Sequence, residues 1–123
     1  MATDNAFDDD LLERVRQAAP VGEAITTLGI SRPNWIAGIE RDGVLVETLR
    51  SRKMGRGPQL VPAWMVDVGW GRLRCRGRLS QDELLNKMNV KRSAFVCALL
   101  SRFDDVEIES EKPIVLRYVS RPD

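Results

Sequence analysis

The chain has 123 residues, of which 43% are apolar and 30% charged, with a formal net charge of +1. That length accommodates one or two small domains, and the balance excludes bulk disorder; no apolar run approaches the roughly 20 residues of a membrane-spanning helix. There is no histidine, which removes Ser-His-Asp and Cys-His catalysis together with the commonest metal ligand.

The first ten residues carry four aspartates and no cation. A signal peptide would open on cations and an apolar stretch, so a cytoplasmic protein with no membrane partner is expected. Leu11, Leu12, Val15, Ala18 and Ala19 fall on one face of a predicted helix, with the aspartates at its positive end and Pro20 closing it. Val21, Ala24, Ile25 and Leu28 have the spacing of a second short helix, and Gly29 suits a left-handed turn. Ser31 then caps a predicted third helix with Pro33 in its first turn and Trp35, Ile36 and Ile39 on its apolar side. Residues 44–66 come next as two β-prone runs around a Gly- and Pro-containing turn, the pattern of a hairpin.

"RSRKMGR", Arg50 to Arg56, places four cations in seven residues without an acid. "GRLRCRGR" then puts arginine at every second position from Arg72 to Arg78. A strand would gather those four into one row, whereas a helix splits them. The helical reading is preferred, with Val66, Trp70 and Leu73 as its apolar side, although Gly69 and Gly71 each weaken it by about 1 kcal/mol relative to alanine. No acidic residue stands three or four places from these arginines within the run, so an external polyanion competes with simple solvation as their partner.

"SQDE", Ser80 to Glu83, is a capping box ahead of Leu84, Leu85 and Met88. Asn89 suits a positive φ, and Lys91 to Phe103 continue as a nearly all-apolar helix that ought to be buried. "VEIES" and "IVLRYV" alternate like a closing hairpin. Cys75 and Cys97 are too few for a disulfide framework, lack zinc-ligand spacing, and read as buried thiols. Carboxylate clusters such as Asp104 and Asp105 read as solvated. Neither an enzyme nor a cofactor is expected.

Sliding the chain by sixty places lays Glu23 to Ile39 over Glu83 to Leu99 without a gap, matching Ile25 with Leu85, Leu28 with Met88, Arg32 with Arg92 and Trp35 with Phe95. Both segments, with the hairpins after them, resemble winged helix-turn-helix cores. The resemblance covers about residues 8–119 and rests on apolar and turn patterns, which identify a superfamily rather than one protein. It implies an α+β, mainly helical chain of tandem winged-helix units, each of three helices and a β-hairpin wing. The expected division is an acidic N-terminal tail at 1–10, unit 1 at 11–66, unit 2 at 67–119 and a C-terminal tail at 120–123.

In winged-helix proteins that bind duplex DNA the third helix enters the major groove and the wing touches phosphate. The resemblance carries base contacts to Ser31, Arg32, Asn34 and Arg41, and wing-tip phosphate contacts to Arg50, Arg52, Lys53 and Arg56. Arginine forks onto guanine and asparagine onto adenine, although Asn34 reads equally as a residue bonding backbone amides near a helix start. Unit 2 departs from this pattern. Its third helix is apolar and its wing carries Glu107, Glu109 and Glu111, which phosphate repels. Val96, Cys97 and Leu100 are therefore expected to pack on unit 1 or to form a homodimer or partner interface, leaving Arg72, Arg74, Arg76, Arg78, Lys91 and Arg92 as the cations able to touch nucleic acid. The leading expectation is a duplex-DNA-binding regulator or accessory factor. RNA binding is the second nucleic-acid reading, since tandem winged helices also resemble the RNA-binding tail of the selenocysteine-specific elongation factor, and a protein-interaction adaptor is the third.

Overall fold

The computed structural model describes residues 5–119. The expected C-terminal tail at 120–123, and the first four residues of the acidic tail, lie outside them. In chain order the elements are helix α1 (Asp9–Ala18), strands β1 (Ala24–Thr26), β2 (Pro33–Glu40) and β3 (Gly43–Thr48), and a short helix α2 (Leu49–Lys53). Then come strand β4 (Gln59–Pro62), helix α3 (Ala63–Arg76), strand β5 (Arg78–Ser80), helices α4 (Gln81–Asn86) and α5 (Ser93–Leu100), and strands β6 (Val106–Glu111) and β7 (Ile114–Tyr118).

Two antiparallel sheets result, one in the order β1-β2-β3-β4 and one in the order β5-β7-β6. With about 37% helix and 30% strand, the described residues are α+β but not mainly helical. The correction falls on the N-terminal part, where the expected second and third helices are strands β1 and β2. Ile25, Ile36, Val44, Val46 and Val61 are buried, and they pair across the sheet as Ile36 with Val46 and Val44 with Val61. Residues 23–39 and 83–99 therefore share an apolar pattern but not a structure, since the latter is helix, turn and helix. Spacing that fits a helix also fits a strand when a bulge intervenes, and β2 shifts register between Ile36 and Gly38. The β-branched Ile25, Thr26, Thr27 and Ile36 favour the strand.

α1 is capped by Asp8, whose side chain accepts from the Leu11 amide. Phe7, in the expected tail, is buried in the core. α3 runs through Arg76 and ends on Gly77 at φ 82°, which settles the arginine run as helical up to Arg76, with Arg78 in β5.

The centre of the molecule is α5. From Phe95 to Leu100 every side chain is at most 2% exposed, and the helix packs against α1, β1, α3 and α4. Gly69 explains itself here, because a Cβ on it would stand 2.9 Å from the Leu100 side chain; the glycine that weakens α3 locally lets α5 approach. Trp70 lies against Phe103 and Tyr118, edge to face at 5.1 and 5.9 Å. Arg102 donates to the last-turn carbonyl of Ala18, and Arg14 pairs with Asp105 at 3.1 Å, tying α1 to the chain beyond α5. One continuous apolar cluster joins residues from α1 to β7.

Val96, Cys97 and Leu100 are 0% exposed, so they meet this core and no external partner. Burial pushes the Cys97 thiol up to about 12. Cys75 is exposed, contrary to expectation, because it lies on the outer side of α3.

Two outcomes are expected. Gly43 has φ 155°, and a Cβ there would lie 2.3 Å from the Val61 carbonyl oxygen, so Gly43→Ala should lower the stability measured by urea unfolding by about 2–3 kcal/mol. Folded Cys97 keeps its proton where the unfolded thiol, with its ordinary value near 8.5, loses it. Its contribution is thus complete below about pH 8.5 and declines as pH rises, by about 1.4 kcal/mol per pH unit. Between pH 8 and 10 the wild type should lose about 2 kcal/mol more stability than Cys97→Ala; equal losses would show that another group carries the alkaline slope.

Candidate anion-binding groove

The groove is built where the first sheet faces the α4–α5 turn. On one wall the β1–β2 loop is held by Thr27, whose buried hydroxyl donates to the Ile30 carbonyl and accepts from the Arg32 amide at 3.0 Å. This turn delivers Arg32, Pro33 and Asn34 to the lining. At the end of β3, Thr48 and Ser51 form a reciprocal capping box for α2, which places Leu49 and Arg50 on the same wall. On the other wall Ser80 and Glu83 make the box for α4, with Gln81 in its first turn. Asn89 turns the chain at φ 57°, so that Lys91, Arg92 and Ser93 face back across. The space enclosed is about 560 Å³.

Arg32, Arg50, Lys91 and Arg92 line this space, and no carboxylate among the described residues does. None of the four makes an ion pair among the described residues. Arg92 is half-buried, reaches only the Gln59 side-chain oxygen at 3.5 Å, and is lowered from the ordinary arginine value by that burial. A guanidinium taken partly out of water without a counter-ion is costly, and an anion in the groove would relieve it. α5 also begins here with no side-chain cap on its N-terminus, so the unsatisfied amides and the dipole of its first turn favour negative charge at the same place. Ser93, buried, accepts from Gln81 Nε2 at 3.2 Å, and the Asn34 amide donates to the Arg32 carbonyl at 3.3 Å. The charged groups of the lining are all cations, set among the apolar Pro33, Leu49, Leu85, Ala94 and Phe95. The chemistry offered is the holding of an anion.

Of the residues singled out in the sequence, Arg32, Asn34, Arg50, Lys91 and Arg92 converge on this groove. The others do not. Ser31 is an exposed loop residue. Arg41 lies at the far end of β2, roughly 20 Å from Asn34 at strand spacing, where it pairs with Asp9 at 2.9 Å and donates to the Phe7 carbonyl. Arg52 stacks on the Trp35 ring at 3.7 Å and pairs with Glu47 at 3.4 Å. Lys53 and Arg56 are exposed on α2 and the loop after it. In the second run, Arg72 pairs with Glu83 at 3.5 Å, Arg74 sits over Trp70 at 5.3 Å and Arg78 is held by both oxygens of Glu109. Arg76 is exposed.

Sequence reasoning missed Thr27, Thr48, Gln81 and Ser93 as lining residues, and Leu49 and Leu85 as its apolar part. The two capping motifs were the available signal, since each fixes the residue after it at a helix start. Nothing in the sequence brings residues near 32 and 92 together except the sheet and helix packing itself. Among the described residues no group of three or more His, Cys, Asp or Glu could hold a metal, and no helix is long and apolar enough to cross a membrane. Comparison of the chain with protein-family models, curated proteins and solved structures found no match.

Proposed function

We propose that the protein binds nucleic acid, with this groove as the contact surface. The observation that carries the reading is the convergence of four cations without ion-pair partners on one groove free of carboxylates. The cationic surface also extends past it: Arg50 and Lys53 are three apart on α2 and share a side, and Arg56 lies in the loop beyond. A positive strip longer than a single anion suits a repeating phosphate chain. The role that the winged-helix resemblance implies for unit 1, a third helix reading the major groove, has no helix to perform it. An interface through Val96, Cys97 and Leu100 is no better placed, because those side chains are enclosed.

The test is a fluorescence-anisotropy titration against labelled oligonucleotides at several salt concentrations. Binding should weaken with salt at a log–log slope of about −0.7 to −0.9 per contacted phosphate. The variant combining Arg32→Gln, Arg50→Gln, Lys91→Gln and Arg92→Gln should bind more than about tenfold more weakly with a shallower slope, while Arg74→Gln with Arg76→Gln should bind like the wild type. Equal affinity of the groove variant and the wild type would remove the groove from the account.

A further inference from the structure

Resting on the nucleic-acid reading, we infer that the ligand is a single strand, its phosphates in the cationic groove and its bases in the apolar recess that adjoins it. That recess, about 590 Å³, shares Thr27, Arg32, Gln81, Leu85 and Ala94 with the groove, so the two form one trough. Its lining includes the apolar Leu28, Ile30 and Ile114. Ile30 is 71% exposed and Leu85 43%. Large aliphatic side chains left in water beside a polar groove mark a surface that something apolar covers.

The charge is graded along the trough. Arg50, Lys91 and Arg92 stand at the groove end, Arg32 and Leu85 where the two recesses meet, and Asp82, Glu111 and Lys112 at the recess end, so the lining passes from three cations to two carboxylates with one cation. A duplex offers a protein two phosphate ridges, with its bases stacked out of reach of a concave aliphatic surface. At the recess end its phosphates would meet two carboxylates, Asp82 and Glu111, against the single cation Lys112. A single strand has phosphate on one side and unstacked bases on the other, the same division as the trough. The two carboxylates accept but do not donate hydrogen bonds, so they can meet exocyclic amino groups of bases and not phosphate. Nor, among the described residues, does the trough present a long exposed helix for the major groove, since α3 with its exposed Arg74 and Arg76 does not line it. α5 is enclosed, α2 has five residues, and the first turn of α1 carries Asp9 and Asp10.

The experiment compares a labelled single strand of about twelve mixed-sequence nucleotides, the duplex of the same sequence, and a polyglutamate of similar charge. The wild type should bind the single strand at least about tenfold more tightly than the duplex or the peptide. The double variant Ile30→Ser, Leu85→Ser changes two exposed side chains and should still fold. It should lose at least about fivefold in single-strand affinity with the salt slope unchanged, because apolar contact with the bases and not charge is removed. Duplex binding as tight as single-strand binding, or no effect of the double variant, overturns the inference and leaves the groove as a polyanion site. Equal binding of the peptide overturns it in favour of an acidic protein partner. Failure of both nucleic acids to bind removes the functional reading as well.

Discussion

The fold depends on enclosing one helix. From Phe95 to Leu100, α5 has no polar side chain, and a helix that is apolar on all sides is stable in water only when covered on all sides. α4 and the second sheet cannot do this alone. α1, β1 and α3 supply the remaining walls, which explains why the first sheet and the elements after it share one continuous core. Burying each such aliphatic or aromatic side chain contributes about 1.5–3 kcal/mol, so α5 is the largest single reason for the two halves to stay together.

The same helix explains the site. Its body is in the core, but its N-terminus has to leave the core, and it does so at the seam between the two halves. There Ser93, Arg92 and Lys91 meet Arg32, Asn34 and Arg50 from the opposite wall. Cations that are distant in the chain are thereby placed around an uncapped helix start. Each element alone would give scattered surface charge, worth little; the packing turns it into a local field.

Much of the C-terminal part is legible in the sequence because its signals are local. The capping box at Ser80, the positive φ at Asn89 and the burial of the apolar helix each depend on residues within a few places of one another. Gly29, too, has the positive φ its position suggests. The segment around it is where local spacing misleads. Ile25, Leu28, Trp35 and Ile39 are spaced as on a helix, and only pairing with β3, through contacts such as Trp35 with Glu47 and Ile36 with Val46, makes β2 a strand. The arginine run is open to misreading for the same reason. Its missing carboxylates are Glu83 and Glu109, eleven and thirty-one residues from their partners, where no rule of helix spacing looks. Arg32 and Arg92 stand out singly as cations, but their meeting across a groove is a property of the tertiary fold.

Hydrogen exchange along α5, with and without a single-stranded oligonucleotide, tests the central claim most directly. The account predicts that the amides from Val96 to Leu100 exchange only through global unfolding, while those of Ser93, Ala94 and Phe95 exchange readily in the free protein and slow when the strand is added. Exchange of the whole helix by partial opening, or protection by the oligonucleotide that appears elsewhere and leaves those three amides unchanged, would contradict it.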